Sequence, residues 1–410
     1  MRIEPPGRYG RLQSAMSDHA RLRNATVLLL GIGALGNEVA KNLVLLGVGR
    51  LLIVDFDHVE ESNLSRSLLF RLEDAQNRRL KSDVAAERLR EMNPDVDIRS
   101  LPLDCTWELG DGVMRHADAI VGAVDGWFPR CVLNRAALRV GKPWIVGGIS
   151  HDHGWVWELD PKEGGCLECF LPKEIKNRFS PGGCTEEIEG IIEQGGVPTT
   201  PMTAAIAAAY QVAAVLRHLG CNPSDPTSRG QGINFNLQDR DLGRFELSRR
   251  SARCPAHTPY TKIIEAPLSA ERTTLQELFA WLRHNLSYDP VVDITIAGFE
   301  RVVYLHCLSC HYAEKCGKPT FLGLGAPLCP QCKSALHKVK MSKWSDVALH
   351  RTELEPLWDM TLTDCGIPRL HILPVSSLYD RDVRIGVELS DDRAHWFGHE
   401  CPREVYNGSA

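Results

Sequence analysis

A glycine-rich turn between an apolar run and a helical pattern restricts the fold of this chain more than any other feature. The apolar run TVLLL (26–30) leads into GIGALG, which holds Gly31, Gly33 and Gly36 in the spacing G-x-G-x-x-G. An uninterrupted apolar run of this length is typical of a strand buried on both faces. Apolar residues then recur on one side of a helical pattern over 34–46. This order of strand, turn and helix predicts a nucleotide-binding βαβ unit.

The pattern of alternating strands and helices continues beyond the turn. Further buried strands are predicted at 50–55, 117–125 and 143–148, with helices at 81–92 and 129–140. Such alternation indicates a parallel sheet covered by helices on both faces. The segment WVWEL, which follows residue 154, alternates as an antiparallel strand does. We therefore predict an α/β fold with a Rossmann-like, doubly wound, mostly parallel sheet and an antiparallel extension.

The alternation of strands and helices ends near residue 260, where we place a domain boundary. The first domain is expected over 1–260 and the second over 261–410. The second part combines one helical pattern, alternating strands and a cysteine-rich insert at about 305–335. These features predict a smaller α+β domain with a zinc-ribbon-like insert, and its pattern faintly resembles a β-grasp fold.

Composition excludes several classes of protein. The 410 residues are 43% apolar and 24% charged with a net charge of −5, which is ordinary for a soluble globular chain. The absence of a basic block argues against a nucleic-acid partner. No apolar stretch is long enough to span a membrane, and the N-terminus lacks the apolar core of a signal peptide. Many of the 14 cysteines form closely spaced pairs, which favours metal binding in a reducing cytoplasm over disulfides.

The glycine turn alone does not distinguish NAD from ATP. Asp55, which ends the second predicted strand 19 residues after Gly36, can bind ribose hydroxyls of either cofactor. Further polar residues follow at predicted strand ends and the turns beyond them: Asp57, Asn63, Arg66, Lys81 and Asp125. Cations offset the charge of a triphosphate and carboxylates hold magnesium, whereas hydride transfer needs no such cluster. The cluster favours ATP with magnesium, and an NAD-dependent oxidoreductase is the alternative from another enzyme class.

Several motifs together resemble one family. RYGR, GIGALG, DFDHVEESNLSR, LKSDVAAERLREMNP, VDGWFPRCVLN, CLECFLP and CPAH resemble the ThiF/MoeB/HesA adenylating enzymes, relatives of ubiquitin-activating enzymes, over roughly residues 8–258. The resemblance implies that Asp55 binds the ribose, and that Asp125 serves magnesium and catalysis. It implies that Asn63, Arg66 and Lys81 contact the phosphates. Ser67 departs from the family, which usually has glutamine there.

The resemblance also implies a reaction and an assembly. The reaction is ATP-dependent adenylation of the C-terminal carboxylate of a small β-grasp protein, either ubiquitin-like or a sulfur carrier, that usually ends in Gly-Gly. The products are an acyl-adenylate and pyrophosphate. The enzyme would be a homodimer in which Arg11, the second arginine of RYGR, reaches the neighbouring subunit's site. The alternatives are adenylation of a small or tRNA-borne carboxylate, and an inactive zinc scaffold that binds a β-grasp protein.

The cysteine spacing predicts two zinc sites and leaves one further cysteine to consider. The first set of ligands has C-x2-C and C-x2-H spacing, and the second has C-x2-C-x18-C-x2-C spacing. The sets are Cys166, Cys169, Cys254 and His257, and Cys307, Cys310, Cys329 and Cys332. Cys184 lies in a loop where some relatives carry a thioester-forming cysteine. It is either a nucleophile that accepts the acyl group or a free cysteine without a catalytic role.

Overall fold

A computed structural model of the chain describes most of its length. The described residues are 7–161, 164–172, 198–221, 230–247, 250–251, 254, 256–296, 298–345, 357–377, 384–391 and 393–397. Cys184 lies outside them.

The first 246 residues build one eight-stranded sheet in the order β3-β2-β1-β4-β5-β6-β7-β8. The strands β1 to β5 are parallel, whereas β6 to β8 join them by antiparallel pairing. The bounds are β1 Thr26–Leu30, β2 Arg50–Val54, β3 Asp97–Leu101, β4 Ala119–Gly122, β5 Trp144–Ile149, β6 His153–Leu159, β7 Gln231–Asn236 and β8 Asp241–Glu246. The prediction of a Rossmann-like sheet with an antiparallel extension is confirmed.

Three strands of this sheet, the parallel β3 and the antiparallel β7 and β8, escaped the sequence analysis. Strand β3 lies at the end of the sheet and has only two buried positions, Ile98 and Leu101, whereas β1 is buried throughout. Its sequence DIRSL holds only two apolar residues, so it gives no continuous apolar signal. The other parallel strands, flanked on both sides, carry the long apolar runs from which they were predicted.

Helices cover both faces of the sheet. Two of them, α3 and α9, pack against each other, and together with α5 they cover one apolar core, while α6 and α7 cover the other. The bounds are α1 Gly10–Ala15, α2 His19–Asn24, α3 Ala34–Leu46, α4 Leu72–Gln76, α5 Lys81–Met92, α6 Asp111–His116, α7 Trp127–Arg139, α8 Leu167–Phe170 and α9 Pro201–His218. Within the described ranges, no helix combines the length and the apolar character that crossing a bilayer requires.

The C-terminal part has two smaller sheets, with strand orders β14-β10-β15-β16-β9 and β12-β11-β13. Helix α10 begins at a capping box formed by Thr274 and Glu277, and buries Phe279 in the core beside the larger of these sheets. The bounds are β9 Lys262–Ala266, α10 Leu275–Asn285, β10 Pro290–Asp293, β11 Arg301–His306, β12 Ala313–Pro319, β13 His337–Met341, β14 Lys343–Trp344, β15 Ile372–Ser377, β16 Arg384–Leu389 and α11 Arg393–Phe397.

The C-terminal part packs directly on α6 and α7. The ring of Phe128 lies 4.7 Å from that of Phe321 and 5.8 Å from that of Phe299, edge to face. The backbone of Gly112 donates to the carbonyl of Leu370 at 2.9 Å. The apolar core on this face is therefore shared by both parts of the chain. The division at residue 260 into separate domains stays a prediction.

Candidate active site

The glycine turn leaves an open face at the start of α3. A Cβ atom on Gly36 would lie 2.1 Å from the carbonyl oxygen of Gly31, and one on Gly31, whose φ is +90°, would lie 2.7 Å from that of Ala123. Nothing lies within 4 Å of the Cβ position of Gly33. Two glycines are thus required for close backbone packing, while the third borders open space at a helix N-terminus, which is suited to a phosphate.

Asp55 joins the glycine turn to the end of β2. Its Oδ2 accepts the backbone N–H of Ile32 at 2.8 Å, and its Oδ1 accepts that of Asp57 at 2.9 Å. Burial raises the pKa of Asp55 above its ordinary value, although Lys81 and the N–H of Ile32 act in the opposite direction. The carboxylate lies where the resemblance implies a ribose ligand, at the carboxyl end of a parallel strand.

Lys81 and Asp57 form an ion pair beside Asp55. The Lys81 ammonium lies 2.8 Å from Oδ2 of Asp57, and the Lys81 backbone N–H donates to the Asp57 carbonyl, also at 2.8 Å. The Lys81 side chain is 13% exposed and that of Asp57 is 53% exposed. Ser82 Oγ donates to the Asp55 carbonyl at 2.8 Å, which fixes the first turn of α5 against β2. A cation and two carboxylates therefore converge at this edge of the sheet.

Asn63 and Arg66 lie in the segment between β2 and α5. The side-chain oxygen of Asn63 accepts the backbone N–H of Glu60 at 3.0 Å, closing a short 3₁₀ turn over Glu61–Asn63. Arg66 donates from Nη1 to the carbonyl of Ser62 at 2.7 Å. The side chains of Asn63 and Arg66 are half-buried. The segment carries the Asn63 amide and the Arg66 guanidinium. Both of these hydrogen bonds are made within the segment itself.

Asp125 lies exposed between β4 and α7, and the sequence analysis missed the arginine that organises its turn. Arg130 is buried and donates to the carbonyls of Gly126 at 3.1 Å and Gly147 at 3.2 Å. Its guanidinium also lies over the ring of Trp155, 5.1 Å from the centroid. Burial lowers the pKa of Arg130 to about 10, and the charge of Asp125 opposes that shift. Arg130 is part of the motif VDGWFPRCVLN, but no spacing rule assigns it a role.

The four ligands of the first predicted zinc site lie close together, between α8 and the segment after β8. The sulfur of Cys166 lies 3.8 Å from that of Cys169 and 3.6 Å from that of Cys254, and Nε2 of His257 lies 3.2 Å from the Cys169 sulfur. All four ligand atoms lie within 4.8 Å of one another. Sulfurs about 3.8 Å apart fit tetrahedral zinc with bonds of about 2.3 Å. These residues therefore fit a closed zinc site.

The second set joins the end of β11 to the loop before β13. Cys307 and Cys332 have sulfurs 3.4 Å apart, and those of Cys310 and Cys329 are 3.5 Å apart. Each C-x2-C pair is followed by a residue in the left-handed region, His311 and Lys333. The backbone N–H of each of these two residues donates to the carbonyl of the first cysteine in its pair at 3.0 Å. Two matching turns thus direct four cysteines to one point, as tetrahedral zinc requires.

The roles of two further predicted residues stay predictions. Arg11 lies on the exposed side of α1. Cys184 lies outside the described residues, so its position relative to Asp125 and Lys81 stays a prediction.

Comparisons with known proteins support the same group of enzymes. The ThiF family model matches residues 11–256. The sulfur carrier protein ThiS adenylyltransferase of Bacillus subtilis strain 168 is 33% identical over 255 residues, which are 61% of this chain and 71% of that protein. Ubiquitin-like modifier-activating enzyme 5 of Oryza sativa subsp. japonica is 33% identical over 172 residues, which are 38% of this chain and 40% of that protein.

Solved structures share the fold. The crystal structure titled E. coli MccB + ATP superposes with a TM-score of 0.50 at 24% sequence identity, covering 63% of this chain and 75% of that chain. At this identity the likeness concerns the fold alone.

The glycine turn generates a paired prediction. Gly36→Ala should destabilise the chain by about 1–3 kcal/mol or more, because its Cβ meets backbone that cannot move aside. Gly33→Ala should leave thermal unfolding nearly unchanged but weaken ATP binding at least tenfold, because its Cβ enters the open face. Thermal unfolding and calorimetric titration with ATP measure the two effects. Equal loss of stability in both variants would contradict the assignment of the open face.

The cysteine clusters predict two zinc ions per chain. Cys329→Ser should lower the zinc content by one and destabilise mainly the C-terminal part, because structural zinc contributes folding free energy directly. Elemental analysis of protein purified without chelators gives the count, and Cys105→Ser, which lies in neither cluster, is the matched control. Well-folded protein without zinc would refute both sites.

Proposed function

The chain belongs to the ThiF family, and we propose that it is an ATP-dependent adenylyltransferase for the C-terminal carboxylate of a ubiquitin-like or sulfur-carrier protein. A carboxylate oxygen of the partner would attack the α-phosphorus of ATP. The bond from the α-phosphorus to the oxygen that bridges the α- and β-phosphates would break, and pyrophosphate would leave. The product is an acyl-adenylate.

The observation that carries the proposal is the convergence at the carboxyl edge of the sheet. The open face at Gly33, the Asp55 carboxylate and the Lys81–Asp57 ion pair lie at adjoining strand ends. Asp55 would bind the ribose, and Lys81, Asn63 and Arg66 would contact the phosphates. Cations held in place before substrate arrives stabilise a crowded polyanion without reorganisation, which is the main catalytic requirement of this reaction.

Magnesium would be held by carboxylates of the same edge. Asp125 is exposed, and Asp57 is half-exposed beside Lys81, so both offer the oxygen ligands that magnesium prefers. When bound, the ion would neutralise phosphate charge. Arg130 would fix the Asp125 turn by its hydrogen bonds to Gly126 and Gly147. A partner ending in Gly-Gly fits the proposal because a slim tail can thread to the α-phosphate.

Adenylation and the following acyl transfer make separate demands on the chain, which gives a test. Pyrophosphate exchange into ATP, driven by the carrier protein, should fall about 10²–10³-fold in Asp125→Ala, because a charged group at the reacting phosphate is lost. Exchange should survive Cys184→Ala, because adenylation needs no thiol. The assay measures radiolabelled pyrophosphate incorporated into ATP.

Cys184 is proposed as the acceptor of the acyl group. Its thiolate would attack the acyl carbon and release AMP, leaving a thioester that hydroxylamine cleaves. The wild type should form this adduct and Cys184→Ala should not. An adduct that persists in Cys184→Ala would place the nucleophile elsewhere. Loss of exchange in folded Cys184→Ala would contradict the division between the two steps.

We further propose a homodimer in which Arg11 completes the partner's site. The residue two before it, Tyr9, is buried against Gly47 at the end of α3, and its hydroxyl accepts from Asn93, which follows α5, at 2.8 Å. Both helices begin at the nucleotide edge and end at the opposite edge, about 18 Å away for the 12 or 13 residues they contain. Arg11 is therefore anchored far from its own chain's Lys81, which favours action across an interface.

Subunit mixing tests this assembly. Arg11→Ala and Asp125→Ala should each be inactive alone, and activity should return when the two are mixed and allowed to exchange subunits. In the hybrid dimer, the Asp125 of the Arg11→Ala subunit faces the intact Arg11 of the other subunit, so one site has both groups. The pyrophosphate-exchange assay gives the readout, with Arg240→Ala, an exposed arginine in the turn between β7 and β8, as the control for Arg11→Ala. No recovery after proven subunit exchange would refute action across the interface.

A cytoplasmic location is part of the proposal. The described cysteines form no disulfide bonds, which supports a reducing compartment.

A further inference from the structure

A cavity of about 320 Å³ lies between the two parts of the chain. One wall is formed by α6, α7 and the loop after β3, and the other by β10, β15 and the segments beside them. None of the glycines or charged residues assigned to the nucleotide lines it. The exposed side chains of Lys343 and Arg384 belong to its wall, so the cavity reaches the surface. Its volume is within the range of small-molecule sites.

Positive charge predominates in the wall. Five cationic side chains line the cavity but only two carboxylates: Arg135, Arg139, Arg301, Lys343 and Arg384 against Asp111 and Asp293. His371 adds no charge at neutral pH, since burial lowers its pKa to about 4.

One carboxylate of the wall, that of Asp111, is paired with one of these arginines. Arg139 lies 2.8 Å from Oδ2 of Asp111. Burial acts to lower the pKa of Arg139, but Asp111 and, more weakly, Asp293 raise it above its ordinary value. Arg135 is paired at 2.8 Å with Glu168, which lies outside the cavity wall. Asp111 and Glu168 thus offset Arg139 and Arg135. Asp293 lies opposite Lys343 in the pairing of β10 with β14. Among the described residues, no carboxylate forms a salt bridge with Arg301.

Arg301 is the cation whose position is hardest to account for without a ligand. It is 2% exposed, and it donates from Nε to the carbonyl of Ile294 at 2.9 Å and from Nη1 to that of Gly317 at 3.2 Å. Throughout the described part of the chain, no carboxylate forms a salt bridge with it. Burial lowers its pKa to about 10. An uncompensated buried guanidinium is costly unless an anion approaches it.

We propose that this cavity binds a small organic anion whose phosphate or carboxylate group is held by Arg301. The two backbone carbonyls fix the guanidinium and leave Nη2 for a charge-assisted hydrogen bond. Lys343 and Arg384 at the mouth attract the anion from solution. Apolar side chains from both walls, including Leu133 and Ile296, would contact the uncharged part of the bound anion. The site is separate from the nucleotide site, so the proposal goes beyond adenylation.

Equilibrium dialysis of the full chain tests the proposal with two probes, inorganic phosphate and succinate. With saturating Mg·ATP present at the nucleotide site, one probe ion should bind per chain. Arg301→Met should weaken that binding about tenfold or more, because a charge-assisted hydrogen bond is worth about 1.5–3 kcal/mol. Arg240→Met, with an exposed arginine between β7 and β8, is the matched control and should bind as the wild type does. Tighter binding of phosphate or of succinate identifies the anionic group.

Other outcomes overturn the proposal. These are binding of neither probe, equal binding to Arg301→Met and the wild type, and full displacement of the probe by ATP. ATP affinity should be unchanged in Arg301→Met, which confirms that the variant is folded. If that variant does not fold, Lys343→Gln replaces it, because an exposed side chain is not needed for folding. It should weaken probe binding severalfold, and unchanged binding would refute the site.

Discussion

The carboxylate of Asp55 holds the candidate active site together. One of its oxygens accepts the N–H of Ile32 in the glycine turn and the other accepts the N–H of Asp57 after β2. Two neighbouring strand ends are thereby fixed relative to each other. Asp57 in turn positions Lys81 through both its backbone and its side chain. The nucleotide edge is therefore one connected polar network, and a change at Asp55 should disturb all of its members.

The sequence predicted the parts of the molecule whose physical signals are local. Buried parallel strands such as β1 give unbroken apolar runs, glycines mark close backbone approach, and C-x2-C pairs mark turns that present thiolates to a metal. Both cysteine sets converge as their spacing predicted. Strand β3 was missed because this end strand has only two buried positions and therefore carries few apolar residues. Arg130 was missed because its role depends on carbonyls of Gly126 and Gly147, which only the folded sheet brings together.

Helix α7 contacts both the candidate active site and the C-terminal part of the chain. Its N-terminal end holds Arg130 and follows Asp125, while Arg139 at its C-terminal end pairs with Asp111 beside the cavity. Phe128 on the same helix packs against Phe299 and Phe321 of the C-terminal part. No sequence pattern indicates these ring contacts, because each of them joins residues more than 150 positions apart. The C-terminal part therefore supports the helix that follows the proposed catalytic aspartate.

Calorimetric titration of the purified chain with Mg·ATP and, separately, with NAD⁺ tests the central claim most directly, because it needs no partner protein. The account predicts one ATP bound per chain, a requirement for magnesium, and no measurable NAD⁺ binding. Lys81→Gln should weaken ATP binding because a phosphate contact is lost. Tight binding of NAD⁺ without binding of ATP would contradict the account, since the charged cluster at the sheet edge would then serve another chemistry.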